Sequence, residues 1–255
     1  MTVIRAQGST PQRAGAKMLV FADGRTVGTI GGGCYENEAI GKARASITEG
    51  RPVLLHFELN DDFAQENGLI CGGRMDVHVD PLLPDPPLYI VGAGHVGFQL
   101  ARIAADAGFR RTVVDDREKF ANAERFPDSA VVVEPIPEWL HRAELPASAF
   151  VVVVTRGHQH DLDAMRALAA RDLRYLGLIG SRAKVARIYS ALHAEGLPSA
   201  CLERIHAPIG FDIGAVTPAE IAISILAELI AVRRGADTAQ LSMKRLNFSV
   251  FDNRS

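Results

Sequence analysis

Apolar runs alternate with helical patterns through the second half of the chain. The strand-like runs are "LYIVG", "RTVVD", "AVVVE", "FVVVVT" and "RYLGLIG", which begin at Leu88, Arg111, Ala130, Phe150 and Arg174. Helical periodicity follows the first, fourth and fifth of these runs. Because such alternation requires crossover connections, this part of the chain is predicted to form a Rossmann-like, doubly wound parallel sheet.

A final helix is predicted from Pro218 to about Arg233. Thr217 stands at the N-cap position, proline at the first helical position, and Glu220 three residues after the cap. The sequence "RRG" supplies basic residues and a glycine at the other end.

The first part of the chain predicts a smaller α/β unit. Its strand-like runs "TVI", "AKMLVFA", "TVGTI", "VLLHFEL" and "MDVHV" surround one helical stretch from Tyr35 to about Gly50. The stretch "DPLLPDPP", with four prolines in eight residues, disfavours helix and central strand. We therefore expect an N-terminal domain over residues 1–80, a linker over 81–87, a Rossmann-like domain over 88–235 and a tail over 236–255.

Composition narrows the class of protein. Of 255 residues, 47% are hydrophobic and 23% charged, so the chain can bury a substantial core. A formal net charge of -2 argues against a nucleic-acid partner. The apolar runs are too short or too charged to span a bilayer, and the N-terminus lacks a signal-peptide pattern. Three cysteines form no disulfide framework. We expect a cytoplasmic protein with reduced thiols and no membrane span.

A glycine fingerprint marks the first turn of the Rossmann-like domain. Gly92, Gly94 and Gly97 have the G-x-G-x-x-G spacing between a strand and a helix, and Asp115 ends the next strand. In a dinucleotide site the first glycine allows the tight turn, the second lets a pyrophosphate approach the backbone, and the third allows close helix packing. The acid accepts a hydrogen bond from a ribose hydroxyl and thereby favours NAD over NADP. Alternatively, the glycines serve only a close strand-to-helix crossing.

Hydride transfer would also need a positioned acid or base. His95 lies inside the glycine turn, where it would cap the helix or contact a phosphate. His158, His160 and Asp161 follow the fourth strand, at the edge where doubly wound folds bind ligands. These three are either metal ligands or caps in a solvated loop. The sequence identifies no dedicated hydride-transfer machinery.

The N-terminal unit places two cysteines beside glycine runs. Gly31, Gly32 and Gly33 precede Cys34, and Cys71 precedes Gly72 and Gly73. Glycines that lead into a helix present backbone N–H groups to an anion, and the helix start favours the thiolate form of Cys34. Thiolates bind soft metals and transfer sulfur. The alternative is that both cysteines are small buried residues and the glycines only make bends. Cys201 has no such neighbours and is interpreted as structural.

The motifs together resemble those of the XdhC/CoxI family, accessory proteins of molybdenum hydroxylases. They are "GSTPQRAGAKMLV", "GTIGGGCYENEAI", "CGGRMDVHVDP", "IVGAGHVG", "VVDDR", "TRGHQHD", "GLIGSRAKVARI" and "IHAPIGFDIGAVTPAEIAISILAELIAVRRG". They cover nearly the whole chain in the family's order. The paired cysteines are similar to those on the CoxI side of the family. The resemblance implies an N-terminal family domain followed by a Rossmann-like domain.

The resemblance also implies a function. Family members bind molybdenum cofactor (molybdopterin), hold it while its terminal sulfur ligand is installed, and deliver it to apo-enzymes such as xanthine dehydrogenase or carbon monoxide dehydrogenase. It gives Cys34 and Cys71 the role of metal contacts or sulfur relays. It further implies a cysteine desulfurase-type sulfur donor and a homodimer. Such a protein is a cofactor chaperone rather than an enzyme.

Two features depart from the family's pattern. Members usually begin with a helix ahead of the "TVIRAQGSTP" strand, whereas this chain starts almost at that strand, as a truncated version would. Members often have cysteine before "PIG", where this chain has Ala207. Two other functions remain open from the residues alone: an NAD-dependent oxidoreductase, and a nucleotide-sensing module without chemistry. Both would use the second domain.

Overall fold

The computed structural model describes residues 1–59 and 73–236. The chain divides into two compact units, one from Met1 to Pro84 and one that begins at Asp85. The division falls inside the proline-rich stretch 81–87. None of the helices in the described ranges is long and apolar enough to cross a membrane.

The first unit is built on an antiparallel three-stranded sheet. Its strands are β1 (Thr2–Gln7), β4 (Val53–Leu59) and β5 (Gly73–Val79), in the order β1-β5-β4. A two-stranded hairpin, β2 (Met18–Val20) and β3 (Thr26–Gly28), and one helix, α1 (Cys34–Glu49), complete this unit among the described residues.

Period-two alternation on β5 builds the core of the first unit. Met75, Val77 and Val79 are buried, while the residues between them are more exposed. Val77 pairs with Val3 of β1 and with Leu55 of β4, so the three strands present their apolar side chains to the same face. The helix covers that face with buried small and aromatic residues: Tyr35, Ala39 and Ala43.

The second unit contains the predicted parallel sheet. Its strands are β6 (Pro87–Val91), β7 (Arg110–Asp115), β8 (Ala130–Val133), β9 (Phe150–Val153) and β10 (Tyr175–Leu178). They pair in parallel in the order β10-β9-β6-β7-β8. In that order the chain runs from β6 outward to β8 and then returns to β9 on the other side of β6, which is the reversal of a doubly wound fold. The predicted fold class, a Rossmann-like sheet with a smaller N-terminal α/β unit, is confirmed.

Helices cover both faces of this sheet. On β9, an interior strand of the sheet, Val151 and Val153 face one cluster, while Phe150 and Val152 face the other. All four are buried, which stabilises the unit by about 1.5–3 kcal/mol for each large side chain. The helices are α2 (His95–Asp106), α3 (Ile136–Arg142), α4 (His158–Leu168), α5 (Arg182–Ala194), α6 (Ser199–Glu203) and α7 (Pro218–Arg234).

The start and stop signals of the last helix act as the sequence indicates. The Thr217 side chain accepts from the Glu220 N–H, and the Glu220 carboxylate accepts from the Thr217 N–H at 2.9 Å. Gly235 ends the helix in the left-handed conformation. The helix therefore ends one residue beyond its predicted boundary.

Several elements differ from the pattern-based expectation. The predicted strand over residues 26–30 ends at Gly28, because Thr29 and Ile30 turn to donate hydrogen bonds to Glu36. The predicted strand over 16–22 contracts to Met18–Val20. Helices α3 and α6 lie outside the predicted set, since seven and five residues are too short for a clear helical period.

A buried polar network holds the sheet edge next to β10. The segment around His206 runs parallel to β10, with its N–H donating to Leu176 and its carbonyl accepting from Leu178. Below it, the Glu228 carboxylate of α7 accepts from the Tyr175 hydroxyl at 2.5 Å and from the Gly210 N–H at 2.8 Å. The third partner is His206 Nδ1, 3.1 Å away.

Candidate functional site

The glycine run of the first unit forms a tight turn at the start of α1. Gly31, Gly32 and Gly33 all have positive φ angles, of 131°, 79° and 80°. A Cβ on Gly31 would lie 2.1 Å from the Tyr35 hydroxyl oxygen and 2.8 Å from side-chain atoms of Pro11. Glycine is therefore required at this position both by backbone conformation and by space.

A carboxylate of the same helix occupies the donors of this turn. Glu36 Oε2 accepts from the N–H groups of Ile30 at 2.9 Å, Gly31 at 3.2 Å and Gly32 at 2.9 Å, and from the Thr29 hydroxyl at 2.6 Å. Partial burial opposes ionisation of Glu36, but these hydrogen bonds outweigh it and hold the pKa of the carboxyl below its usual range. The N–H groups of the turn thus converge on a carboxylate that the chain itself supplies, and the predicted role of the glycine run toward a cofactor stays a prediction.

Cys34 is the first residue of α1 and is exposed. The N-cap residue Gly33 has no side chain to cap the helix. Because Cys34 is the first helical residue, its thiol lies close to the positive end of the helix dipole. Cys71 and Gly72, the other predicted members of this site, lie outside the described residues.

Gly73 is the first residue of β5, where the chain approaches another backbone closely. A Cβ there would lie 2.5 Å from the Gln7 carbonyl oxygen and 2.6 Å from the Ser9 carbonyl oxygen. The glycine is therefore needed by the packing of β5 against the end of β1. Its predicted role toward a cofactor stays a prediction.

The three glycines of the second unit differ in what their surroundings permit. A Cβ on Gly92, whose φ is 118°, would lie 2.4 Å from the Val154 carbonyl oxygen, and a Cβ on Gly97 would lie 2.0 Å from the Gly92 carbonyl oxygen. At Gly94, the N-cap of α2, a Cβ would meet open space. Gly92 and Gly97 are thus required by the strand-to-helix crossing, whereas Gly94 leaves room beside the helix start.

Asp115 is turned into the protein beneath this glycine turn. Its carboxylate accepts from the Ala93 N–H at 2.8 Å and from three donors of Arg117: the backbone N–H at 3.1 Å, Nε at 2.8 Å and a terminal nitrogen at 2.9 Å. Burial opposes its ionisation, but the hydrogen bonds from Arg117 and Ala93 outweigh it and lower the pKa of Asp115. On the other side, Arg125 donates to the Ala93 carbonyl at 3.1 Å. Both backbone polar groups of Ala93 are therefore used internally.

An ion pair spans the end of β6. Arg156 follows β9 and Asp116 follows β7, the two neighbours of β6, and their side chains meet at 2.8 Å. The pair therefore crosses the crevice where doubly wound folds bind ligands. Because Asp115 already meets protein donors, the geometry gives the NAD-dependent oxidoreductase no support. The predicted role of Asp115 toward a ribose stays a prediction.

The histidines at this edge do not gather around one point with Asp161. His95 and His158 are exposed at the first positions of α2 and α4. Asp161 is fully buried, accepts from the Thr155 hydroxyl at 2.6 Å and forms an ion pair with Lys184. Within residues 1–59 and 73–236, no group of three or more His, Cys, Asp or Glu side chains is arranged to hold a metal. Asp161 therefore joins α4 to α5 instead of facing a metal.

Two side chains of these sites were missed from the sequence. Glu36 stands three residues after the N-cap glycine of α1, the capping-box position that identified Glu220 in α7, so the same signal was available. Arg125 reaches Ala93 from a loop 32 residues further along the chain, and no local sequence pattern predicts a contact over that separation.

Two family models match the chain. The model of the XdhC Rossmann domain matches residues 88–229, more than half of the chain. The model described as the XdhC and CoxI family matches residues 1–58, which include the glycine run and Cys34.

Similar proteins extend across both units. The uncharacterized protein YqeB of Escherichia coli is 37% identical over 236 residues, 92% of this chain and 43% of that protein, so the chain spans less than half of that relative's length. A probable xanthine dehydrogenase subunit of Bacillus subtilis is 25% identical over 91% of this chain and 92% of its own. The molybdenum cofactor insertion chaperone PaoD of Escherichia coli is 24% identical over 91% of this chain and 82% of its own.

A solved structure has a similar fold. The crystal structure of a xanthine dehydrogenase from Bacillus halodurans superposes with a TM-score of 0.54 and covers 98% of this chain and 94% of that one. At 24% identity the likeness concerns the fold.

Proposed function

The chain belongs to the XdhC and CoxI family, and on that basis we propose that it is an accessory protein of a molybdenum hydroxylase. In this proposal it binds molybdenum cofactor, holds it during sulfuration and inserts it into a xanthine dehydrogenase-type or carbon monoxide dehydrogenase-type apo-enzyme. The observation that carries the proposal is the exposed Cys34 at the start of α1, directly after a glycine turn with an anion-binding shape.

The donor set around Cys34 fits such a cofactor chemically. A cysteine sulfur is a soft ligand suited to a metal–sulfur centre. The turn over Ile30–Gly32 directs three N–H groups at one point, an arrangement that suits a phosphate oxygen. We propose that the metal end lies near Cys34 and Cys71, and the phosphate end on the glycine turns.

Analysis of the purified protein tests this function directly. The protein is isolated from a host that makes molybdenum cofactor, and bound molybdenum and the fluorescent oxidised pterin are measured. We expect both in comparable amounts. Absence of both, together with no uptake of free cofactor, would refute the proposal, and tight NAD binding without pterin would favour the oxidoreductase.

Replacement of Cys34 by alanine is expected to reduce cofactor retention by about tenfold or more, because loss of a ligand should cost at least as much as loss of an outer partner. Retention is measured as pterin per protein after gel filtration. Cys201→Ala is the matched control, since Cys201 is a half-buried thiol of the second unit. Cys71→Ala is expected to behave like Cys34→Ala. Unchanged retention in both variants, with folding intact, would remove the thiols from the site.

Glu36 and a bound phosphate would compete for the same N–H groups. We therefore expect Glu36→Gln, which keeps the shape but removes the charge, to bind the cofactor several-fold more tightly. The measurement is a titration of the cofactor-free protein followed by pterin fluorescence. Unchanged or weaker binding would place the phosphate away from Ile30, Gly31 and Gly32. Both thiols are retained in this variant, so its result is independent of the cysteine variants.

The remaining parts of the proposal concern partners and location. We propose a cysteine desulfurase-type protein as sulfur donor, a homodimer as the working form and the cytoplasm as its compartment. Sedimentation of the purified protein tests the dimer. Transfer of labelled sulfur from a desulfurase to the bound cofactor tests the donor.

A further inference from the structure

A cavity of about 440 Å³ lies along α2 of the second unit. Helix α2 forms one wall, and the loop that precedes β8 forms the other. Arg111, the second residue of β7, lies at the amino-terminal end of the sheet, whereas the glycine turn lies at the carboxyl end. The cavity is therefore anchored away from the glycine turn and from Asp115.

Arg111 is a buried cation without a counter-charge. The residue is only 9% exposed, one terminal nitrogen donates to the Asp128 carbonyl, and Nε is buried without an acceptor. In the described part of the chain, no carboxylate lies within ion-pairing distance of its guanidinium. Buried charges are normally paired because desolvation costs several kcal/mol per ion. An uncompensated guanidinium that lines a cavity indicates an anionic ligand.

Arg102 and Arg125 also line this cavity, although the Arg125 guanidinium already donates to the Ala93 and Phe120 carbonyls. Their guanidinium groups lie 5.8 and 4.9 Å from the centre of the Phe98 ring, so two positive charges lie close to that ring. Phe98 also packs edge-on against Phe126 at 5.7 Å, which gives the cavity an aromatic wall. The acids at its rim, Asp106, Glu124 and Asp128, are exposed, where water screens their charge.

We propose that this cavity binds a small organic molecule that carries a single oxyanion, either carboxylate or phosphate, with Arg111 as the buried anchor. Its volume lies within the range of about 300–1,000 Å³ that small-molecule sites occupy, more than an inorganic ion fills. The aromatic wall contacts the apolar body of the ligand, and the guanidinium groups of Arg102 and Arg111 contact the oxyanion. The site is independent of the molybdenum cofactor.

Phenyl phosphate and benzoate are suitable probes, with benzyl alcohol as the neutral counterpart. Binding is measured by calorimetry and by the rise in Tm. We expect one of the two anions, and not the alcohol, to bind; which one binds identifies the oxyanion as phosphate or carboxylate. Arg111→Gln should weaken that binding about tenfold or more, since a charge-assisted hydrogen bond is lost.

Arg110→Gln is the matched control. Arg110 carries the same charge one position earlier on β7, is exposed and does not line the cavity, so its loss should change affinity less than about twofold. If neither anion binds at about 10 mM, or if Arg111→Gln binds as tightly as the unchanged protein, the proposal is overturned. Should Arg111→Gln fail to fold, the exposed Arg102→Gln decides: weaker binding supports the site, and unchanged binding overturns it.

Discussion

Gly97→Ala is expected to destabilise the second unit by about 3 kcal/mol or more. Its Cβ would lie 2.0 Å from the Gly92 carbonyl oxygen and 3.2 Å from Ile90 Cγ2. The clashing oxygen belongs to a backbone turn that is itself held against Val154, so it has no free direction in which to move. Only a shift of α2 away from the sheet would relieve the clash, and that shift would open the apolar core behind it.

Urea denaturation of the whole chain measures this loss, and Gly94→Ala is its control. Gly94 has a φ of -67° and open space at its Cβ, so alanine fits without a clash. We expect a change within about 1 kcal/mol, because lost chain entropy in the unfolded state offsets the weaker N-cap. Equal stability of the Gly97 and Gly94 variants would contradict the close crossing of strand and helix.

Glu228→Ala is expected to cost about 3–5 kcal/mol, the usual loss when one member of a buried charged network is removed. The substitution leaves the Tyr175 hydroxyl and the Gly210 N–H buried without their acceptor, and it frees His206. Burial and the neighbouring carboxylate raise the pKa of Tyr175 well above its usual value, so this hydroxyl stays a donor. Glu220→Ala on the same helix should cost clearly less, because that side chain is exposed and serves only the cap.

The same carboxylate makes stability depend on pH. Burial opposes ionisation of Glu228, but the hydrogen bonds from His206, Tyr175 and Gly210 outweigh it and hold its pKa below 4.5. A lowered folded-state pKa contributes stability above the unfolded value, and that contribution is lost as the pH falls from about 4.5 through the folded value. Glu228→Gln should therefore show a flatter acid limb in denaturation curves. An unchanged acid limb would show that Glu228 does not carry this dependence.

The architecture of the second unit follows from local patterns in the sequence. Runs such as "FVVVVT" are buried on both faces, and a strand of that kind is typical of a parallel sheet. Thr217, Glu220 and Gly235 act at the helix ends through contacts with near neighbours, which is why sequence reasoning located them. The spacing of Gly92, Gly94 and Gly97 likewise identified the turn between β6 and α2. Glycine is required at Gly92 and Gly97 because a Cβ there would clash with backbone atoms of adjacent elements.

The partners of the polar side chains could not be obtained in this way. Asp115 has the expected place at the end of β7, yet whether it faces a ligand or Arg117 depends on rotamers and on neighbouring loops. Glu228 falls on the buried face of α7 by helical spacing from Ile225, but its partners Tyr175 and His206 come from distant segments. Long-range polar pairs carry no periodic signal, and they decide which predicted site residues remain available to a ligand.

The Glu36 carboxylate on the glycine turn has a consequence for selectivity. As a competitor within the same chain it is always present at the turn, and any free anion must displace it from the N–H groups of Ile30 and Gly32. Inorganic phosphate and simple carboxylic acids offer a single point of attachment and are disfavoured in that exchange. A ligand that also engages a second anchor, such as the neighbouring thiol of Cys34, gains from bivalency and can displace the carboxylate. The turn would thus select ligands that bind through two anchors over anions that bind through one.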